Sequence, residues 1–112
     1  MPDTYKLILT VEKNGAPVPG YDSLIRRLTV DQSQSFDELL ASGGGAVALP
    51  ISQVGTVTLL VLTGDQIQTY APGAITLNAG GVIVLFNATG ATETLTNASG
   101  VTANNKGLAG GT

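Results

Sequence analysis

A chain of 112 residues with 43% hydrophobic content has the length for one domain and the apolar material for one core. Only 12% of it is charged, about half the usual share, and five Lys and Arg stand against eight Asp and Glu, so the clustered cations of a nucleic-acid-binding surface are not expected. The absence of Cys and His removes disulfides, thiolate zinc sites, thiol nucleophiles and every Ser–His arrangement.

"MPDTYKLILTV" lacks the long apolar stretch of an export signal, and no run approaches the roughly twenty apolar residues of a membrane helix. The chain is expected to be made and assembled in the cytoplasm without a membrane partner. "TYKLILTVE" alternates, with Tyr5, Leu7, Leu9 and Val11 on one face and Lys6, Ile8, Thr10 and Glu12 on the other, the period of a strand. In "KNGAPVPG", Asn14-Gly15 signals a tight turn, and Pro17 and Pro19 disfavour central pairing. "SLIRRLTVD" reads as a second strand. "SQSFDELLASGGG" is the one place for a short helix, within residues 34–42, with Ser35 as cap, Asp37 and Glu38 in its first turn and Gly43 as its end. A turn or an irregular strand competes with it, because two turns of helix are marginal alone.

Past the triple glycine, Gly43 to Gly45, the character changes. Residues 1–50 hold ten of the thirteen formal charges, and residues 51–112 hold only Asp65, Glu93 and Lys106. "AVALP", "TVTLLVLT", "QIQTYA", "AITLN", "GVIVLF" and "ATETLT" are short β-branched segments separated by turn residues. That pattern predicts an all-β, antiparallel β-sandwich or barrel-like domain with at most one short helix. The whole chain is expected as one domain, residues 1–45 being its more charged part, because the first half alone would have too small a core. "VTANNKGLAGGT" ends in a glycine-rich tail over 105–112, which could be a strand or an arm laid on a neighbour.

Asn87-Ala88-Thr89-Gly90 and Asn97-Ala98-Ser99-Gly100 both fit the glycosylation sequon and begin ten residues apart. Each falls where a meander must reverse, and Asn followed by Gly suits a turn. The turn reading is preferred to sugar attachment, for want of an export signal. The carboxylates Asp31, Asp37, Glu38, Asp65 and Glu93 are dispersed and fit solvated faces and turns, and no loop has the density of acids of a calcium site. No catalytic residue, cofactor or metal is therefore expected.

The informative feature is the two-sided apolar character of residues 57–62 and 82–86. A half-solvated sheet alternates apolar with polar residues. Here Val57, Leu59 and Val61 face one way, with Leu60 and Leu62 on the side that carries Thr56 and Thr58. Val82, Val84 and Phe86 likewise oppose Ile83 and Leu85. The threonines make the Leu60 side the expected outer face. Leu60, Leu62, Ile83 and Leu85 are accordingly the predicted partner interface, unless both faces are covered from within. Low charge suits an interface core and predicts binding that salt barely weakens. A steep salt effect would instead implicate Arg26, Arg27 and Lys106.

The Leu49-Pro50 entry, the strand carrying "LLVLTGDQ", the "AITLNAGGVIVLF" hairpin and the "LTNASG" turn span about 60 of the 112 residues. In these features the chain resembles the small β-sandwich virion proteins of tailed bacteriophages. The resemblance implies a structural virion protein, foremost a capsid decoration (cement) protein on the capsid exterior that bridges neighbouring subunits. Its partners would be the major capsid protein or other virion proteins and further copies of itself, a trimer being the expected oligomer. The same resemblance admits a tail, fibre or baseplate component. A carbohydrate- or surface-binding module is the alternative from another class, with Tyr70 in "QTYAPG" as the best exposed aromatic.

Overall fold

In a computed structural model the described residues are 3–21, 24–86 and 93–112, with Phe86 described in its backbone alone. They are all β, without helix, and every strand pairing is antiparallel. The chain opens with β1 (Asp3–Leu9), β2 (Glu12–Lys13), β3 (Ala16–Pro17) and β4 (Leu24–Val30). It continues with β5 (Gln32–Leu40), β6 (Ala46–Ala48), β7 (Val57–Gly64) and β8 (Gln68–Ala71). It ends with β9 (Ile75–Leu77), β10 (Val82–Phe86), β11 (Thr94–Thr96) and β12 (Ala103–Gly111).

Two four-stranded sheets, ordered β10-β7-β12-β5 and β6-β11-β8-β9, share one core. Leu60, Leu62 and Ala109 meet Tyr70, Leu77 and Leu95 across it, each at most 1% exposed. Aliphatic side chains thus fill the space between the sheets of a small sandwich, with Tyr70 as the largest fully buried residue. The second sheet turns Thr69, Thr94 and Thr96 away from this core, the polar alternation of a solvated face.

The N-terminal segment is a long hairpin. β1 pairs with β4 from Asp3↔Val30 to Leu9↔Leu24, and β2 and β3 close its tip. Asn14 and Gly15 both take positive φ, 54° and 81°, the primed turn that Asn-Gly favours. The radius of gyration is 15.0 Å, against about 13 Å for a fully compact chain of this length.

Two segments that the sequence leaves open, one between helix, turn and strand and the other between strand and arm, are both strands. The segment read as a short helix is β5, nine residues of strand at the edge of the first sheet. Phe36 and Leu40 lie two pleats apart and pack on the core, and pairing with β12 stabilises more than two isolated helical turns could. The glycine-rich tail is β12, an inner strand bonded to β5 on one side and β7 on the other. Its glycines permit that position. A Cβ on Gly107 would overlap the Phe36 ring, and one on Gly111 would overlap the Thr56 carbonyl. Gly43 to Gly45 form the loop between β5 and β6, tied by Gly43 N–H donating to the Asn97 carbonyl at 2.9 Å.

Candidate partner interface

The four residues expected to meet a partner point inward. Leu60 and Leu62 are 0% exposed and Ile83 7%, and Leu85 packs half-buried against the same cluster. Their register agrees, since Ile83 pairs with Leu62 and Leu85 with Leu60. The inversion has a local cause. β12 pairs Gly110 with Leu59 but Gly111 with Val57, leaving Thr58 as the extra residue of a bulge. The bulge shifts the alternation by one, so Val57 joins Leu60 and Leu62 in the core. Thr58, whose polarity argued for an outer face, instead donates its hydroxyl to the Gly110 carbonyl at 3.4 Å.

The outer side of this sheet carries Leu59, Val61 and Leu108, with Val82 and Val84 beyond them on β10. The base of the hairpin covers part of that strip. Tyr5, Lys6 and Leu7 enclose a cleft of about 160 Å³ with Leu59, Val61 and Leu108. Asp31 N–H donates to the Gly111 carbonyl at 2.9 Å, and the Ser33 hydroxyl to Asp3 Oδ2 at 3.4 Å, fixing the hairpin to the sheet. Cover ends there. Val82 is 60% exposed and Val84 is exposed beside it.

The hairpin's distal half has no such cover. Its inward row runs Val30, Leu28, Tyr5, Leu7, then Leu9 and Leu24. Burial falls along it, from Val30 at 1% exposed to Leu9 at 44%. Ile8, Val11 and Tyr21 are exposed as well. Lys6 stands directly across from Arg27, with Arg26 on the opposite face, so the hairpin adds cations to an apolar ribbon. Isolated two-stranded ribbons are marginal in water, and one with bare Ile, Leu, Val and Tyr is the form of a surface made to be covered.

A second opening lies between β5 and β6, the edge strands of the two sheets. Phe36, Leu40, Leu49 and Leu95 line a cleft of about 60 Å³, with Asn105 in its wall and Glu38 at its rim. Leu39, 73% exposed, projects beside it. Asp37 also lies on this strand and meets Lys106 Nζ at 3.9 Å, an exposed pair of little energetic weight.

The polar residues singled out in the sequence are structural. Asn97 is 1% exposed, and its amide donates to the carbonyls of Leu40 (2.9 Å) and Val101 (2.8 Å). Its Oδ1 accepts from Ser99 N–H at 3.0 Å and the Ser99 hydroxyl at 2.7 Å, closing the expected turn and leaving no free amide for a sugar. Asn87 and its tetrapeptide lie outside the described residues. Asp65 holds Asn104 N–H at 2.7 Å. Gln68 and Asn105, both buried, exchange two amide bonds of 2.7 and 2.9 Å across the core.

Tyr70, expected as an exposed platform, is 1% exposed and faces the core, because its inward row on β8 pairs with Leu95. Burial first, and the nearby Glu93 carboxylate second, push its hydroxyl up to about 12. Glu93 is itself buried, and its Oε1 has no hydrogen-bond partner among the described residues. Burial holds its carboxyl above the ordinary value. Among the described residues no three acidic side chains gather as a metal site would need. The geometry offers two contact surfaces: an apolar, cationic ribbon and an apolar cleft with Glu38 in its lining. Comparison with protein-family models, curated proteins and solved structures gives no match to this chain.

Proposed function

We propose that this chain is a structural virion protein of a tailed bacteriophage. It decorates the capsid exterior and bridges neighbouring capsid subunits, acting by binding and not by catalysis. The observation that carries the reading is the hairpin's distal half, a two-stranded ribbon whose Ile8, Leu9, Val11 and Tyr21 lie open to solvent. Each apolar side chain that gains cover contributes roughly 1.5–3 kcal/mol, so the ribbon is a strong anchor once a partner covers it. Val82 and Val84 on β10 extend the same outer side with further apolar surface. The sandwich body supports a spacing role, since a closed aliphatic core holds its shape while the ribbon engages. Repetition over a symmetric shell, with the chain itself as a trimer, turns modest contacts into firm attachment.

Immunogold electron microscopy of particles from cells that produce the chain tests this directly. Gold over the head is expected. Gold confined to tail or fibre moves the protein to that part of the virion, and particles free of gold overturn the reading.

A further inference from the structure

We propose that the distal half of the N-terminal hairpin docks into the β5–β6 cleft of a second copy of this chain. The inference rests on the reading of the chain as an assembly subunit: the partner that covers the ribbon is a second copy, and Val82 and Val84 on β10 stay open for the capsid.

Charge is divided between the two surfaces. Residues 1–30 carry four of the five cations, Lys6, Lys13, Arg26 and Arg27, with three carboxylates, for a net +1. Residues 31–112 carry Lys106 and five carboxylates, for a net −4. Among the described residues the one ion pair is Lys106 with Asp37, and none joins a cation of the hairpin to a carboxylate. Glu38 lines the cleft with its carboxylate unpaired among the described residues, while Asp37 beside it in sequence lies on the opposite face of β5 and is paired with Lys106. A basic apolar ribbon and an acidic apolar cleft are complementary in both respects that steer and hold a contact.

The cleft also has the form of a strand receptor. Its two walls are the edge strands of their sheets, and an edge invites an added strand. Alternate side chains of an added strand would enter between Phe36, Leu40, Leu49 and Leu95, while the exposed Leu39 and Val47 would pack on its flank. The hairpin supplies such a strand in β1, where Lys6 and Ile8 alternate with Leu7 and Leu9. Its own chain does not use it so. The hairpin's base rests on β12 and β7, and β5 leads from Val30 to Glu38 over roughly 25 Å of strand before the cleft is reached. Ribbon and cleft are different surfaces, so the contact is head-to-tail, and repeated copies close into a ring or continue as a chain.

Sedimentation of the full chain over a range of concentrations tests this. Concentration-dependent oligomers are expected, and high salt should weaken them, unlike the salt-insensitive binding that composition alone predicts, because the ribbon brings Lys6, Arg26 and Arg27 and exposed charges are screened beyond roughly 8 Å at physiological ionic strength. A hairpin variant, Ile8→Thr with Leu9→Thr, and a cleft variant, Glu38→Lys with Leu39→Thr, alter exposed side chains and should keep the circular dichroism of the parent. Each should weaken association by about tenfold or more. Mixed together, they retain one intact cleft and one intact ribbon, and should form a one-to-one complex that grows no further. A parent chain that stays monomeric overturns the proposal, as does a cleft variant that associates like the parent, or a mixture that forms no complex. Failure here, with gold still on the heads, leaves the virion reading standing. Self-association with unlabelled particles removes that reading alone.

Discussion

The sandwich and the N-terminal hairpin are written in similar residues and meet opposite fates. Leu60 and Leu62 on β7 and Ile8 and Leu9 on β1 are all branched aliphatics in antiparallel strands, yet the first two are 0% exposed and the others 56% and 44%. The difference is a second layer. β7 has the sheet of Tyr70, Leu77 and Leu95 across from it and the hairpin's base behind it. β1 has β4 beside it and, past Leu7, nothing above it within the described residues. Strand propensity makes the ribbon, but stability comes from what packs on it.

The widest separation should come from paired threonine substitutions. Leu60→Thr with Leu62→Thr removes core volume and buries two hydroxyls, at about 2–4 kcal/mol each, which rivals the whole stability of an ordinary domain. Loss of the cooperative transition in urea is expected. Ile8→Thr with Leu9→Thr should shift it by less than about 1 kcal/mol. Equal losses would break the distinction between the two regions.

A glycine pair asks the same question of the backbone. Gly111→Ala drives a methyl into the Thr56 carbonyl and should cost about 1–3 kcal/mol, whereas Gly44, with nothing within 4 Å, should accept Ala within about 0.5 kcal/mol. Thermal denaturation of both variants reads the contrast. Within the core, Asn105→Leu strips Gln68 of its amide partner and should cost on the order of 1–3 kcal/mol by the same measurement.

The smallest effect is in pH. The fold raises the Glu93 carboxyl above its unfolded value, so between the two values the folded chain binds more protons than the unfolded one. Stability therefore falls as pH rises from about 4.5, and the loss is complete once pH passes the folded value. Tyr70, raised from 10.0 to about 12, adds a loss of the same sign across that higher window. Urea midpoints measured through the acid range should show the first slope, and Glu93→Gln should remove it. An unchanged slope would mean that Glu93 does not carry it.

The strands at 57–64, 68–71 and 82–86 were legible because β-branched runs ended at turn residues. The turn at Asn14-Gly15 and the one after Asn97 were legible from side chains that bond locally. β5 and β12 were not, for a shared reason. β5 shows a capping pattern at Ser35, Asp37 and Glu38, and its strand character comes from a partner over sixty residues away. That partner has too few side chains to show any period, since Gly107 and Gly111 occupy positions where a Cβ would collide and Gly110 one where a Cβ would be tight against Val30. The interface was inverted by one residue: the bulge at Thr58 transposes the faces of β7, and nothing in "TVTLLVLT" marks it. The hairpin's apolar row, Tyr5 to Val11, was plain in the sequence. That only its base would find cover depended on where the sheet ends.

The inner position of β12 also sets an order of events during synthesis. The ribosome makes β5 and β7 early and β12 last among the described strands, yet β12 must slot between them. Until it emerges, β5 has no sheet to join, and β7 has only β10 beside it. The aliphatic core therefore cannot close progressively behind the exit tunnel. It waits for β12 and then forms from contacts distant in sequence, which is the slow kind of folding. A nascent chain stalled before Ala103 would show two bare strand edges to its neighbours, the condition in which β-rich chains aggregate.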